Sequence, residues 1–206
     1  MAKMASAAFN WDAFNSFVAE FKDESDRAAV ILGVAKLDLA LYQLLTNTLL
    51  PATGKSDELL DGDSPLGTFS AKIAFAFRLG LIDAQFTRAL HLARKIRNDF
   101  AHEASGVSLS AGAHRDRVSE LFAPFRALPS VDAFQTHFFK NSKGPAIDFR
   151  TALAIMVARL ENLANRTEVL DKYAPLLLIP PTWKLSAEER RKDKVQPEES
   201  EPQHGI

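Results

Sequence analysis

Residues 25–49 read SDRAAVILGVAKLDLALYQLLTNTL, and the reading of this stretch decides the fold. Ile31, Val34, Leu37, Leu41, Leu44 and Leu45 recur at helical spacing, and Ala35 and Leu49 widen the stripe they form. A face that broad belongs to a helix touched on two sides, at the centre of a bundle. At 1.5 Å per residue the helix is about 37 Å long. Pro51 and Gly54 end it. Upstream, Trp11 to Lys22 place Phe14, Phe17, Val18 and Phe21 on one helical face, and Asp23-Glu24-Ser25-Asp26 reads as a break and restart. The acids there fall in the next helix's first turn, where the dipole favours them.

Downstream, Asp61-Gly62-Asp63-Ser64-Pro65-Leu66-Gly67 is loop chemistry. Thr68 or Ser70 caps a helix running to Leu79, with Gly80 as its stop. Asp83 opens another that reaches His102 and closes at Gly106. Further helices are expected over Ser110–Ala127, Val131–Phe139 and Ala146–Tyr173. No stretch shows the strict alternation of a half-buried strand. The expected fold is all-α, a single-domain bundle of six or seven helices over residues 1–183. Residues 184–206 are charge-dense and proline-punctuated, and they read as a disordered tail.

Composition narrows the function. The chain has 206 residues, 47% of them hydrophobic, and 25 basic against 26 acidic side chains. The tail holds five basic and six acidic residues, which leaves 20 of each in residues 1–183. Such a balance supplies no field for nucleic acid or an anionic membrane, so any such contact needs a local patch. With no cysteine, thiolate metal sites, disulfides and cysteine nucleophiles are excluded. The five histidines show no HExxH or other tight pairing, so neither a metal nor a cofactor is expected. Polar Asn10 and Asp12 interrupt the start before an apolar secretory segment can form. The longest clean apolar run, Ala28 to Ala35, has eight residues against the roughly 20 of a membrane span. A cytoplasmic protein is expected.

One patch exists. Thr87 to His102 carries a net charge of +3 with its histidines neutral. On a helix, Phe86, Ala89, Ala93, Ile96 and Phe100 line a core face, while His91, Lys95, Asn98 and His102 follow on the opposite side. Arg94 and Arg97 flank that polar stripe. Arginine to grip a phosphate, histidine to move a proton and an amide to hold geometry are what metal-free RNA cleavage requires. Neighbouring arginines also depress a histidine's pKa through like-charge repulsion. The plain alternative is a solvated helix face. Glu24, Asp26 and Asp38 need partners if the second helix is central, and Arg27 or the Arg94–Arg97 cluster is positioned to supply them. An ion pair locking the second helix to the basic one is then as good a reading as a catalytic carboxylate. Lys72 to His91 fits helix-turn-helix spacing loosely, with Gln85, Thr87, Arg88 and His91 outward. The neutral charge and the helix's continuation to His102 argue against direct sequence-specific DNA binding.

Arg97-Asn98-Asp99-Phe100-Ala101-His102 resembles the R-x4-H motif of HEPN domains, all-α modules found in RNase toxins and in non-catalytic regulators. In active members the resemblance implies a homodimer whose motifs share one cleft, with Arg97 and His102 essential and Asn98 supporting. Three longer blocks resemble the mannitol operon repressor (MltR) family: residues 24–32 with Leu37-Asp38, residues 61–73, and residues 94–102. They keep their order, and the third contains the HEPN-like motif. This resemblance implies an α-helical, non-enzymatic regulator that lowers expression of a sugar-alcohol uptake operon through a protein partner. His91, Arg94, Lys95, Glu24, Asp26 and Arg27 are then its candidate binding residues. The competing expectation is a metal-independent ribonuclease acting on RNA, in which His102 is the base on a ribose 2′-OH and Arg97 steadies the scissile phosphate.

Overall fold

The computed structural model describes residues 11–103, 105–140, 142–167 and 169. Among them are seven helices and no strand. These are α1 (Trp11–Phe21), α2 (Asp26–Thr48), α3 (Phe69–Arg78), α4 (Ala84–His102), α5 (Gly112–Phe122), α6 (Pro129–Phe139) and α7 (Pro145–Ala164). The expected tail, residues 184–206, lies outside the described residues.

The starts of three helices follow from their caps. Ser25, Thr68 and Asp83 each accept a hydrogen bond from an amide in the first turn, those of Ala28, Ala71 and Phe86. Each bond satisfies a donor that the helix itself leaves open. Helix α2 is central, packing against α7 along its length and against α3, α4 and α1 elsewhere. By length and composition it is apolar enough to cross a membrane, but half of its 18-residue apolar window is buried inside the bundle. Val30, Val34, Leu37, Leu41, Leu44 and Leu45 are all within the core. Gly33 lets α7 approach: a Cβ there would sit 2.3 Å from Leu153 Cδ1.

Two helices are shorter than the periodicity predicts. Helix α5 ends at Phe122 because Pro124 has no amide to continue it. Tight turns then carry Arg126 and Leu128 back through bonds to Phe122 and Phe125 carbonyls. Helix α7 ends at Ala164, not Tyr173. There the amide and hydroxyl of Thr167 both turn back to the Leu163 carbonyl.

The loop over residues 51–67 is expected to be exposed and labile unless a partner or the basic helix covers it. Most of the loop is exposed, as expected, but it is anchored at particular points. Leu60 is buried in the core, Tyr42 donates its hydroxyl to Asp61 Oδ1 at 3.0 Å, and Asp57 Oδ1 accepts the amides of Leu59 and Leu60. The bond from Tyr42 to Asp61 is also the main reason its phenol titrates above the usual range. Asp57 and Asp61 are satisfied here by a hydroxyl and by backbone donors.

Candidate functional site

Helix α4 divides its faces as its sequence predicts. Ala89, Leu90, Ala93, Ile96 and Phe100 are buried, Lys95, Arg97 and His102 are exposed, and His91 and Asn98 are half-buried. Burial pushes the His91 imidazole below its ordinary pKa, and the positive charge of Arg94 one turn on adds to the shift.

The hexapeptide 97–102 is split among several tasks. Arg97 Nη1 donates to Asn98 Oδ1 at 3.1 Å. Asp99 turns to α5, where its Oδ2 binds Arg117 and lies 3.3 Å from His114 Nε2. Phe100 fills the core and meets the His114 ring edge-on at 5.1 Å between centroids. His102 stands exposed at the helix end and makes no hydrogen bond or ion pair among the described residues.

The acids and Arg27 find other partners than the basic cluster. Asp26 Oδ1 pairs with Arg150 Nη1 at 3.3 Å, while its Oδ2 accepts the Leu109 amide at 3.0 Å. Arg150, buried on α7, also donates to the carbonyls of Ala146 at 2.9 Å and Glu24 at 2.6 Å. The Glu24 side chain is exposed, and only its backbone joins this network. Asp38 pairs with the buried Lys72 at 2.7 Å. Arg27 does lock α2 to α4, but through carbonyls: it donates to Phe100 O and Glu103 O, both at 2.6 Å. A guanidinium at the carboxyl end of α4 is also favoured by the helix dipole.

Beside these braces lies a groove of about 410 Å³ between α2, α4 and the start of α3. Arg94, Arg97 and Asn98 line one wall, Val34, Ala35 and Asp38 another, and the segment Gly67–Ser70 its end. The structure thus gathers three of the predicted residues, Arg94, Arg97 and Asn98, in one concave place. His91, Lys95 and His102 stay outside its lining, as do Glu24, Asp26 and Arg27. Sequence reading missed Arg150 entirely. It also missed the α3 start as a groove wall, although Thr68 was legible as a cap.

No family's sequence model matches the chain, and no curated protein does. Its fold is similar to one chain of the X-ray structure of the MtlR-HPr complex from Escherichia coli. The TM-score is 0.55 at 19% identity, covering 72% of this chain and 99% of that one. The likeness supports the MltR-like fold implied by the three sequence blocks.

Proposed function

We propose that this protein is a non-enzymatic regulator of the MltR kind, which binds an HPr-like protein and thereby lowers expression of a sugar-alcohol uptake operon. The observation that carries this reading is the exposed cationic face of α4, on a fold similar to a protein solved in complex with HPr. In a chain of net charge −1, a concentrated cationic face favours encounter with an acidic protein surface. Lys95 and His102 form its outward part, with His91 half-buried beside them. The protein acts as a homodimer and resides in the cytoplasm in this proposal.

The test is titration calorimetry of the full chain with Escherichia coli HPr. Wild type binds, and the double variant Lys95→Glu, His102→Glu binds at least tenfold more weakly with an unchanged melting temperature. Absence of wild-type binding, or equal binding by the variant, overturns the reading. Light scattering tests the dimer. Incubation with RNA in the presence of a chelator tests the opposing reading: the RNA stays intact. Cleavage abolished by Arg97→Ala and by His102→Ala would replace the regulator with a ribonuclease. Both substitutions sit on exposed positions and should change stability by no more than about 0.5 kcal/mol.

A further inference from the structure

Among the described residues, Arg94 makes no hydrogen bond and no ion pair, although its Nε is fully buried. The side chain as a whole is half-buried, but an N–H held from water without an acceptor is costly, and no described residue accepts from it. The carboxylate in the same groove, Asp38, is already paired with Lys72 at 2.7 Å. Counting Arg94, Arg97 and Lys72 against Asp38, the groove has a surplus of two positive charges.

The remaining lining is a donor set. Asn98 presents its amide nitrogen, since its Oδ1 accepts from Arg97. Thr68 Oγ1 accepts from the Ala71 amide, which leaves its own hydroxyl proton free to be donated. Ser70 adds a second hydroxyl. The first amides of α3, at Phe69 and Ser70, have no intrahelical acceptor and carry the positive end of the helix dipole. Two guanidinium forks with convergent hydroxyl and amide donors fit a tetrahedral oxyanion. A volume of about 410 Å³ falls within the range of small-molecule sites, and Val34, Ala35 and Phe69 give it an apolar wall.

We propose that this groove binds a small phosphomonoester, its phosphate held between Arg94 and Arg97 and its organic part against α2. This site is separate from the outward face of α4 assigned to the protein partner, and its test involves no HPr. The full chain is titrated with inorganic phosphate and with glycerol 3-phosphate, following the melting temperature and the ³¹P line width against chloride at matched ionic strength. Both ligands give a saturable rise, with glycerol 3-phosphate at least tenfold tighter. Arg94→Met weakens both at least tenfold, and so does Arg97→Met, whose exposed position keeps the variant folded. Arg88→Met, which removes an arginine of the same helix paired with Glu120 outside the groove, binds as wild type. A response equal to that of chloride overturns the proposal. So does glycerol 3-phosphate binding no tighter than phosphate, or undiminished binding in the Arg94 and Arg97 variants.

Discussion

Arg150 and Arg94 flank the central helix on opposite sides, Arg150 toward α7 and Arg94 toward α4. In both, Nε is buried without an acceptor. They part company at the terminal nitrogens. Those of Arg150 reach Asp26, Ala146 and Glu24, while Arg94 has no hydrogen-bond or ion-pair partner among the described residues. The α7 side is therefore a closed polar brace, in which each charge is answered by another element of the bundle. The α4 side leaves a charge unanswered beside a cavity. Burial of an arginine alone does not separate architecture from recognition; what its fork meets does.

The comparison breaks first on stability. Arg150→Met removes the ion partner of Asp26, which keeps the Leu109 amide, and the donor to the Glu24 carbonyl, and should cost on the order of 3 kcal/mol. For a chain of this length that is a fall in melting temperature of roughly 6–12 °C. Arg94→Met keeps the apolar stem, removes an unpaired and half-buried charge, and should leave the melting temperature unchanged or raise it slightly. Paired thermal melts decide. Equal losses would make Arg94 a structural brace like Arg150 and would remove the contrast between the two sides.

A smaller effect sharpens the description of the α7 side. Gly33 lies where α2 and α7 meet, and a methyl group there would overlap Leu153, which is itself fully buried. Overpacking costs about 1–3 kcal/mol, and the better helix propensity of alanine returns up to about 1 kcal/mol. Gly33→Ala should therefore lower stability by about 1 kcal/mol in chemical denaturation. A gain would mean that Leu153 swings aside freely and that this seam is looser than its brace implies.

These two positions also mark where sequence reading succeeds and stops. The centrality of α2 was legible from the width of its apolar stripe, and the starts of α3 and α4 from Thr68 and Asp83, because caps and periodicity are local. The split between a buried and a polar face on α4 was legible for the same reason. The partner of Asp26 was not: Arg150 lies 124 residues away in sequence, and nothing local connects them. Nor was the anchoring of Leu60, since a leucine in an aperiodic acidic loop carries no signal of direction. The grouping of Arg94, Arg97 and Asn98 could be guessed from spacing. That they face a groove bounded by the start of α3 depends on packing between helices, which no spacing on α4 encodes.

The smallest effect lies in pH dependence on the α4 side. His91 has a folded-state pKa below its ordinary value of 6.5, first through burial and then through Arg94. The unfolded chain therefore binds a proton at this position more readily than the folded one. Where the two states differ in this way, stability rises with pH, so the penalty from His91 is absent well above pH 6.5 and grows as pH falls below it. His91→Gln should lose less melting temperature than wild type between pH 7.5 and 5. Arg94→Met should remove only the lesser part of this slope, because burial of the ring is unchanged. Melting curves at half-unit pH steps for the three proteins provide the measurement. Parallel curves for wild type and His91→Gln would place the imidazole in water. A slope abolished in Arg94→Met would make the arginine's charge, not burial, the main cause, and Arg94 would then act on its own helix more strongly than the unpartnered geometry of the groove implies.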